Sequence, residues 1–292
     1  MQLSVIVSTY NQPRWLEKTL WGYMAQGTSD FELVVADDGS GPETASIIER
    51  FRKESRLRLV HVWHEDRGFR KTRILNRAIL ASTGEYLVFS DGDCIPRDDF
   101  VQVHARLAQR GCFLSGTAIH LSARLSERIA SDDIVSGRFG TPSWLARNGF
   151  WPGRKVIRLT RTPWLGAVAD ALSSVPGHFN GNNVSVWKDA LVAVNGFDDE
   201  MTYGGEDKSL GERLKHTGYR GKQIRHRAVV FHLDHARPYR TEDDLRRNRE
   251  IHARVLRERE VWARAGLEEL AVELGAERSS NAGSPRSGPR AP

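Results

Sequence analysis

The sequence predicts an α/β fold built on a doubly wound, mostly parallel β-sheet. Short apolar segments rich in β-formers alternate with segments whose apolar residues recur at helical spacing, an order typical of a parallel sheet covered by helices. Each of the first four predicted strands ends in polar residues, as strands do at the ligand-binding edge of an open α/β sheet. A chain of 292 residues, 39% hydrophobic and 27% charged, can bury one substantial core.

The first hundred residues are predicted to form four strands separated by helices. Asn11 is suited to cap the first helix, and Pro13 falls in its first turn, where proline is tolerated. A later helix has one apolar face, because Ile74, Leu75 and Ala78 recur at helical spacing. The predicted strands are 3–8, 31–36, 57–63 and 86–89, and the helix with the apolar face is 71–81.

The rest of the chain continues this pattern less regularly. A capping-box sequence that begins at Thr241 opens a helical extension, and a Ser-, Gly-, Pro- and Arg-rich tail is predicted to be disordered. The predicted elements are helices 100–107 and 188–194 and strands 112–121 and 227–231. We therefore expect one domain with halves 1–100 and 101–240, an extension 241–275 and a tail 276–292.

Two carboxylates, Asp91 and Asp93, follow the fourth predicted strand one residue apart. We expect both on the turn that leaves the strand, where two acids are costly unless solvated or neutralised by a cation. Carboxylate oxygens suit Mg²⁺ or Mn²⁺, which usually share their coordination shell with substrate phosphates. Asp-x-Asp alone favours a surface turn, because Asp and Gly are ordinary turn residues.

Several classes of protein are disfavoured. No glycine occurs in 9–13 after the first strand, which argues against an NAD-binding fold and a P-loop NTPase. Cys94 and Cys112 make neither a disulfide framework nor a zinc pattern. No apolar run approaches the roughly 20 residues of a membrane helix, and the start of the chain lacks a signal peptide, so we expect a cytosolic protein. The net charge of +6 is compatible with nucleic acid, a membrane surface or an anionic substrate.

The segment 136–176 differs from the rest in composition. Two interpretations stay open: a solvated basic loop packed by its tryptophans, or an acceptor-site or lid segment whose tryptophans stack on sugars and whose arginines bind phosphate. Its one acidic residue is Asp170. Its basic residues and tryptophans are Arg138, Arg147, Arg154, Lys155, Arg158, Arg161, Trp144, Trp151 and Trp164.

Two further pairs of polar residues have competing explanations. Glu206 and Asp207 open a predicted helix, where the helix dipole alone favours acidic side chains. His232 and His235 follow a predicted strand three residues apart, and imidazoles so placed are candidates for binding a Mn²⁺-like ion.

Four motifs in order at the strand ends resemble glycosyltransferase family 2, which implies an A-type nucleotide-sugar transferase fold. The segment 68–76 is similar to bacterial chondroitin-polymerase-type transferases. The sequences Asn-Gly-Phe-Asp at 195–198 and Gly-Gly-Glu-Asp at 204–207 resemble β-1,4-galactosyltransferase-like domains, although Tyr203 stands where that family often has Trp. The four motifs are Ser8-Thr9-Tyr10-Asn11, Asp37-Asp38-Gly39-Ser40, Arg73-x-x-Asn76 and Asp91-Gly92-Asp93.

The resemblance implies a role for each motif. The first half would bind the nucleotide sugar and the second the acceptor. Asp207 would be the catalytic base and Glu206 an acceptor ligand. Asp93, with Asp91 and His232, would bind Mn²⁺ or Mg²⁺, and His235 is the second choice of histidine. The donor-binding residues would be Thr9, Tyr10, Asp37, Asp38 as reader of the uracil, Arg73 near the diphosphate, Asp91 and Gly92.

These inferences together predict an inverting glycosyltransferase. It would move a sugar from a nucleotide-diphosphate donor, with UDP expected, to a saccharide or lipid-linked saccharide in surface polysaccharide synthesis. We expect a cytoplasmic enzyme with an optional peripheral contact at the inner membrane face, and no nucleic-acid partner. Two alternatives remain: a polyanion- or nucleic-acid-binding module, and a sugar-phosphate nucleotidyltransferase, which normally carries a glycine-rich amino-terminal loop that this chain lacks.

Overall fold

The computed structural model of the protein describes residues 1–235 and 241–282. Ten strands and twelve α-helices lie in this part of the chain. The strands are β1 Leu3–Thr9, β2 Glu32–Asp37, β3 Arg58–Trp63, β4 Tyr86–Asp91, β5 Cys94–Pro96, β6 Cys112–Ser115, β7 Thr117–His120, β8 Val184–Trp187, β9 Arg220–Gln223 and β10 Val229–His232. The helices are α1 Pro13–Met24, α2 Pro42–Glu54, α3 Lys71–Ala81, α4 Phe100–Leu107, α5 Ala123–Arg128, α6 Ser131–Val135, α7 Pro142–Arg147, α8 Pro163–Ala171, α9 Lys188–Val192, α10 Glu206–His216, α11 Glu242–Glu258 and α12 Leu267–Ala282.

The larger sheet has seven strands in the order β3-β2-β1-β4-β8-β6-β9. Strands β1 to β4 are parallel, whereas β8 runs antiparallel to both β4 and β6. In register, Thr9 pairs with Asp37 and Ser8 with Asp91, so the polar ends of three strands meet at one edge. The sheet is therefore α/β, doubly wound and mostly parallel, as the sequence predicts.

Both faces of this sheet are covered by helices. Val5 and Val7 face a core shared with α1, α2 and α4, whereas Ile6 faces a second core shared with α3, α9 and α10. Strands buried on both faces tend to be apolar on both sides rather than alternating, which explains the consecutive apolar residues Val5, Ile6 and Val7 in β1.

A smaller sheet of three strands, in the order β5-β10-β7, extends the molecule beside the first. Strand β10 pairs antiparallel with β5 and parallel with β7. This register sets His232 opposite both Cys94 and His120. A third core beneath α5, α6 and α7 covers this sheet.

Two predicted strand boundaries need correction. The predicted strand 112–121 is two strands, β6 and β7, which belong to different sheets. The chain changes sheet at Gly116, where a Cβ atom would lie only 2.1 Å from Oδ1 of Asn183. Strand β4 continues to Asp91, which is its last residue. Of the two carboxylates predicted to lie on the turn, only Asp93 lies beyond the strand.

The predicted helical extension consists of two helices. Helix α11 ends at Glu258, and Arg259 adopts a left-handed conformation with φ of 51°. Helix α12 then continues to Ala282, past the predicted start of the tail at 276, because Ala276, Glu277 and Arg278 are strong helix formers. Residues 283–292 of the predicted tail lie outside the described residues.

The segment 136–176 is ordered into short helices, which corrects its interpretation as a loop. It contains 3-10 helices at Arg138–Gly140 and Gly153–Leu159 besides α7 and α8. Trp144 packs against the third core, but Trp151 and Trp164 are 61% and 65% exposed. The tryptophans therefore do not pack this segment as a group. Within 1–235 and 241–282, no helix combines the length and the apolar character needed to cross a membrane.

Candidate active site

A cavity of about 530 Å³ opens at the edge of the larger sheet where β1 and β4 end. The amino-terminal turns of α3 and α10 and the end of β10 complete its wall. The structure brings ten of the predicted site residues to this cavity: Thr9, Tyr10, Asp38, Asp91, Gly92, Asp93, Glu206, Asp207, His232 and His235.

Asp91 is held between a hydroxyl and an ammonium group. Its Oδ1 accepts hydrogen bonds from Oγ of Ser8 and Nζ of Lys71, each 2.7 Å long. Burial opposes the charge on Lys71, but the carboxylates of Asp91, Asp207 and Glu206 outweigh it and raise the pKa of the lysine. Lys71 therefore stays protonated at the centre of an acidic cavity.

Sequence reasoning missed Lys71, although one signal was available. A basic residue in the first turn of a helix is disfavoured by the helix dipole, so its presence there indicates an anionic neighbour. Lys208, in the first turn of α10, carries the same signal. Other lining residues without a sequence signal of their own are His120, His178 and Asn182.

Asp93 lies among two histidines and a thiol. Nε2 of His235 is 2.6 Å and Nε2 of His232 is 3.7 Å from Oδ2 of Asp93. Sγ of Cys94 donates to Oδ1 over 3.3 Å. Burial opposes ionisation of Asp93, but the hydrogen bond from His235 and the nearby charge of His232 prevail and lower its pKa to about 2.

This group of side chains fits a divalent metal ion. One ligand atom each from Asp93, Cys94 and His232 lies within 4.8 Å of the others, and Asp93 stays ionised despite its burial. A carboxylate with a neutral imidazole is a donor set suited to Mn²⁺. Asp91 lies one residue before the Gly92 turn and lines the same cavity.

The part of the wall next to Gly92 contains the residues expected to bind the base. Asp38 accepts from the Arg70 amide at 3.0 Å, and its other oxygen lies 2.7 Å from Nε2 of His64. The hydroxyl of Tyr10 donates to Asp66 over 2.9 Å. The buried hydroxyl of Thr9 has no hydrogen-bond partner in the described part of the chain, so it is available to a ligand.

Two predicted site residues, Asp37 and Arg73, do not line the cavity. Asp37 is fully buried, accepts from the Ser40 amide over 2.8 Å and lies 2.9 Å from Nε2 of His61. It therefore stabilises the turn after β2.

Arg73 faces the other side of α3. It forms ion pairs with Asp199, at 3.6 Å, and with Glu273 on α12. Asn76 in the same motif donates to the Phe197 carbonyl and accepts from the Phe197 amide, each over 2.9 Å. The Arg-x-x-Asn motif therefore connects α3 to the turn before α10.

Asp207 and Glu206 begin α10 after two glycines in left-handed conformations, with φ of +102° and +99° at Gly204 and Gly205. The Gly204 amide donates to Glu206, and the Gly181 amide donates to Oδ2 of Asp207, both over 2.9 Å. Burial first, and the charge of Glu206 second, raise the pKa of Asp207 to about 7. Its other oxygen, Oδ1, has no hydrogen-bond partner among the described residues.

An aromatic pair joins the two halves of the cavity. The rings of Phe69, before α3, and Tyr203, before α10, meet edge to face with centroids 5.7 Å apart. Both line the cavity. Tyr203, the residue that departs from the family's usual Trp, therefore contributes to the wall beside the Glu206–Asp207 pair.

The protein has the A-type nucleotide-sugar transferase fold, with its cavity at the carboxyl ends of the parallel strands. Residues 4–136 match the model of glycosyl transferase family 2, and residues 174–236 match a model described as the N-terminal domain of galactosyltransferase. The chain therefore resembles glycosyltransferase family 2 in its first half and galactosyltransferase domains in its second half. The boundary between the two matches lies within the helical segment 136–176.

Two curated relatives illustrate the family. The chain is 30% identical to validoxylamine A glucosyltransferase of Streptomyces hygroscopicus, over 73% of this chain and 51% of the relative. It is 27% identical to chondroitin synthase of Escherichia coli, over 80% of this chain and 34% of the relative. The chain thus spans about half or less of the length of these relatives.

Solved structures share the fold. A mannosyltransferase from Pyrobaculum calidifontis in complex with GDP-Man and Mn²⁺ has a TM-score of 0.56 at 23% identity, covering 97% of this chain and 76% of that one. S. aureus TarS residues 1–349 in complex with UDP has a TM-score of 0.56 at 17% identity, covering 96% and 72%. At these identities the likeness concerns the fold alone.

Proposed function

We propose that the protein is an inverting, metal-dependent glycosyltransferase that uses a nucleotide-diphosphate sugar. One observation carries the proposal: a carboxylate beside two histidines, Asp93, and a carboxyl pair at a helix start, Glu206 and Asp207, line the same cavity. Asp93 is held ionised, with a pKa of about 2, whereas Asp207 has a pKa of about 7. Carboxyl groups whose environments separate their pKa values in this way take different roles in catalysis.

The donor belongs on the Asp91–Asp93 side. Asp93 and His232 would hold Mn²⁺ or Mg²⁺, with Asp91 and His235 as neighbours. When bound, such an ion neutralises the negative charge that develops on the leaving diphosphate. Lys71 adds a fixed positive charge at the same edge, a role that the family resemblance implied for Arg73.

The nucleotide belongs against Asp38, Thr9 and Tyr10. Asp38 keeps lone pairs in addition to those that face His64 and Arg70, so it can accept an N–H from a base. A uracil offers such an N–H, and TarS is a protein of this fold in complex with UDP. We therefore propose UDP as the nucleotide, although a protein of the same fold is in complex with GDP-Man.

The acceptor belongs on the Glu206–Asp207 side. Asp207 takes the proton of the attacking hydroxyl, while Glu206 binds the acceptor sugar. The acceptor oxygen forms a bond to the anomeric carbon as the bond to the diphosphate oxygen breaks, so the nucleoside diphosphate leaves and the configuration inverts. A pKa near the working pH is the property that a general base requires.

We propose a saccharide or a lipid-linked saccharide as the acceptor, in surface polysaccharide synthesis. Two relatives support a sugar or sugar-like acceptor, since one is a chondroitin synthase and the other a validoxylamine A glucosyltransferase. A lipid-linked acceptor would place the protein at a membrane surface.

A screen of nucleotide sugars tests this function. UDP- and GDP-sugars are incubated with the protein in Mn²⁺ or in chelator, and release of the nucleoside diphosphate is measured. We expect release with a UDP-sugar that requires the metal. Formation of pyrophosphate from a sugar phosphate and UTP would instead identify a nucleotidyltransferase, and salt-sensitive binding of DNA without any turnover would identify a polyanion-binding module.

A further inference from the structure

Helix α8 presents an apolar face to solvent. Trp164, Leu165, Val168 and Leu172 are 65%, 43%, 49% and 80% exposed. At 3.6 residues per turn, these four positions fall within a single arc of about 100° on the helix surface. We call these four residues the α8 face. The usual amphipathic arrangement, with the apolar side inward, is reversed here.

The contacts on the other side of α8 fix this orientation. Asp170 is buried, lies 2.6 Å from Nε of Arg227 and accepts from the His226 amide over 2.9 Å. A Cβ atom on Gly166 would lie 2.7 Å from the Arg227 side chain, so the helix approaches this turn closely. The helix cannot rotate its apolar face inward without breaking the buried ion pair.

Positive charge and further apolar groups lie next to α8 in the chain. Trp151 and Ile157 are both more than half exposed. Arg147, Arg154 and Lys155 have no acidic side chain within 4 Å among residues 1–235 and 241–282. An exposed apolar face that bears a tryptophan, and that follows a cation-rich segment in the chain, is complementary to the interface of an anionic lipid bilayer.

We propose that the α8 face docks the protein on an anionic membrane. Tryptophan and leucine enter the region between headgroups and acyl chains, and the neighbouring basic residues contact lipid phosphates. This interaction goes beyond the proposed transfer reaction and needs neither nucleotide nor metal. It would also bring the cavity close to a membrane-bound acceptor, because His178 and Phe179 in the cavity wall follow shortly after Leu172 in the chain.

The test is flotation of the full chain with vesicles, without nucleotide. One vesicle contains phosphatidylglycerol and phosphatidylcholine, and the other phosphatidylcholine alone. The apolar variant is Trp164→Ser with Leu172→Ser. Its matched control is Val192→Ser with Val272→Ser, two aliphatic residues that are 51% and 70% exposed elsewhere.

A second pair of variants tests the charges. Arg154→Gln with Lys155→Gln removes two cations beside α8. Arg52→Gln with Lys53→Gln removes two cations from α2, where both pair with Glu49. Thermal unfolding of every variant establishes that it is folded.

We expect the wild type to float with anionic vesicles, and to do so less at high salt. With neutral vesicles it should remain at the bottom of the gradient. The apolar variant should bind at least about tenfold more weakly, and the loss of two cations should weaken binding by about tenfold or more. Both controls should bind like the wild type.

Three results would overturn the proposal. One is the absence of wild-type binding, or equal binding to neutral vesicles. Another is an apolar variant that binds as well as its control. The third is a wild-type dimer in solution, by light scattering, that the apolar variant converts to a monomer, since the α8 face would then join two copies of this chain. A negative result leaves the proposed sugar transfer intact, because flotation is measured without nucleotide sugar, metal or acceptor.

Discussion

Asp207→Asn tests the proposed base most directly. Asparagine keeps the size of the side chain and can still accept the hydrogen bond that the Gly181 amide donates over 2.9 Å, but it cannot take a proton from an acceptor. Positioned general bases contribute about 10²–10⁴-fold to rate. We therefore expect turnover to fall by about that factor, while the affinity for the nucleoside diphosphate stays close to that of the wild type.

The same substitution should stabilise the folded protein above about pH 7. In the unfolded chain this carboxyl ionises near pH 3.8, but in the folded protein it ionises near pH 7. Stability is therefore lost between these two pH values, and asparagine removes that loss. The shift of about three units corresponds to at most about 4 kcal/mol, whereas a lost charge at a helix start costs about 0.3–1 kcal/mol.

Single-turnover transfer, calorimetry and denaturant unfolding at pH 5 and pH 8 measure these effects. The wild-type rate should rise with pH through about 7, and the residual rate of the variant should not. Asp199→Asn is the matched control: Asp199 lies outside the cavity, and burial likewise raises its pKa to about 7. Near-normal turnover in Asp207→Asn would refute the assignment and make Glu206 the next candidate for the base.

Three further predictions concern the donor side of the cavity. Asp93→Ala should abolish transfer and weaken Mn²⁺-dependent nucleotide binding in calorimetry; unchanged binding would remove Asp93 from the metal site. His232→Ala should raise the Mn²⁺ concentration needed for half-maximal binding more than His235→Ala does, and the reverse order would assign the ligand to His235. Lys71→Met should weaken nucleoside-diphosphate affinity by about tenfold, the value of one charge-assisted contact. Its control is Lys188→Met, which changes a lysine that donates to the Ser82 carbonyl over 2.7 Å. If Lys71→Met binds the nucleoside diphosphate as tightly as Lys188→Met does, Lys71 lies outside the donor site.

Much of the first half could be predicted because its signals are local. Helix α3 has the predicted bounds, and the first three strands differ from prediction by a residue or so, since apolar periodicity depends only on neighbours in sequence. Parallel strands bring their carboxyl ends to one edge, which placed Thr9, Asp38 and Asp93 around one cavity. The second half was less predictable, because the chain changes sheet at Gly116 through contact with the distant Asn183.

Residues of one motif can also face different ways, which a motif does not reveal. Asp37 and Asp38 are adjacent, yet only Asp38 lines the cavity. Lys71 and Arg73 lie two apart on one helix, about 200° around its axis, so Lys71 points to Asp91 and Arg73 to Glu273. The sequence predicted the arginine from the resemblance, and the helix geometry puts the lysine in the site.

The sequence by itself determined the alternation of strands and helices, the strand-end acids and the Glu206–Asp207 helix start, because each depends on residues close together in the chain. Only the tertiary structure decided that Lys71 lies among three carboxylates, that Asp207 is buried beside Glu206 and that α8 turns its apolar face outward. Each of these depends on burial and on charges or contacts supplied by distant segments. Solvation and Coulomb energies are set by distance in space rather than by separation along the chain.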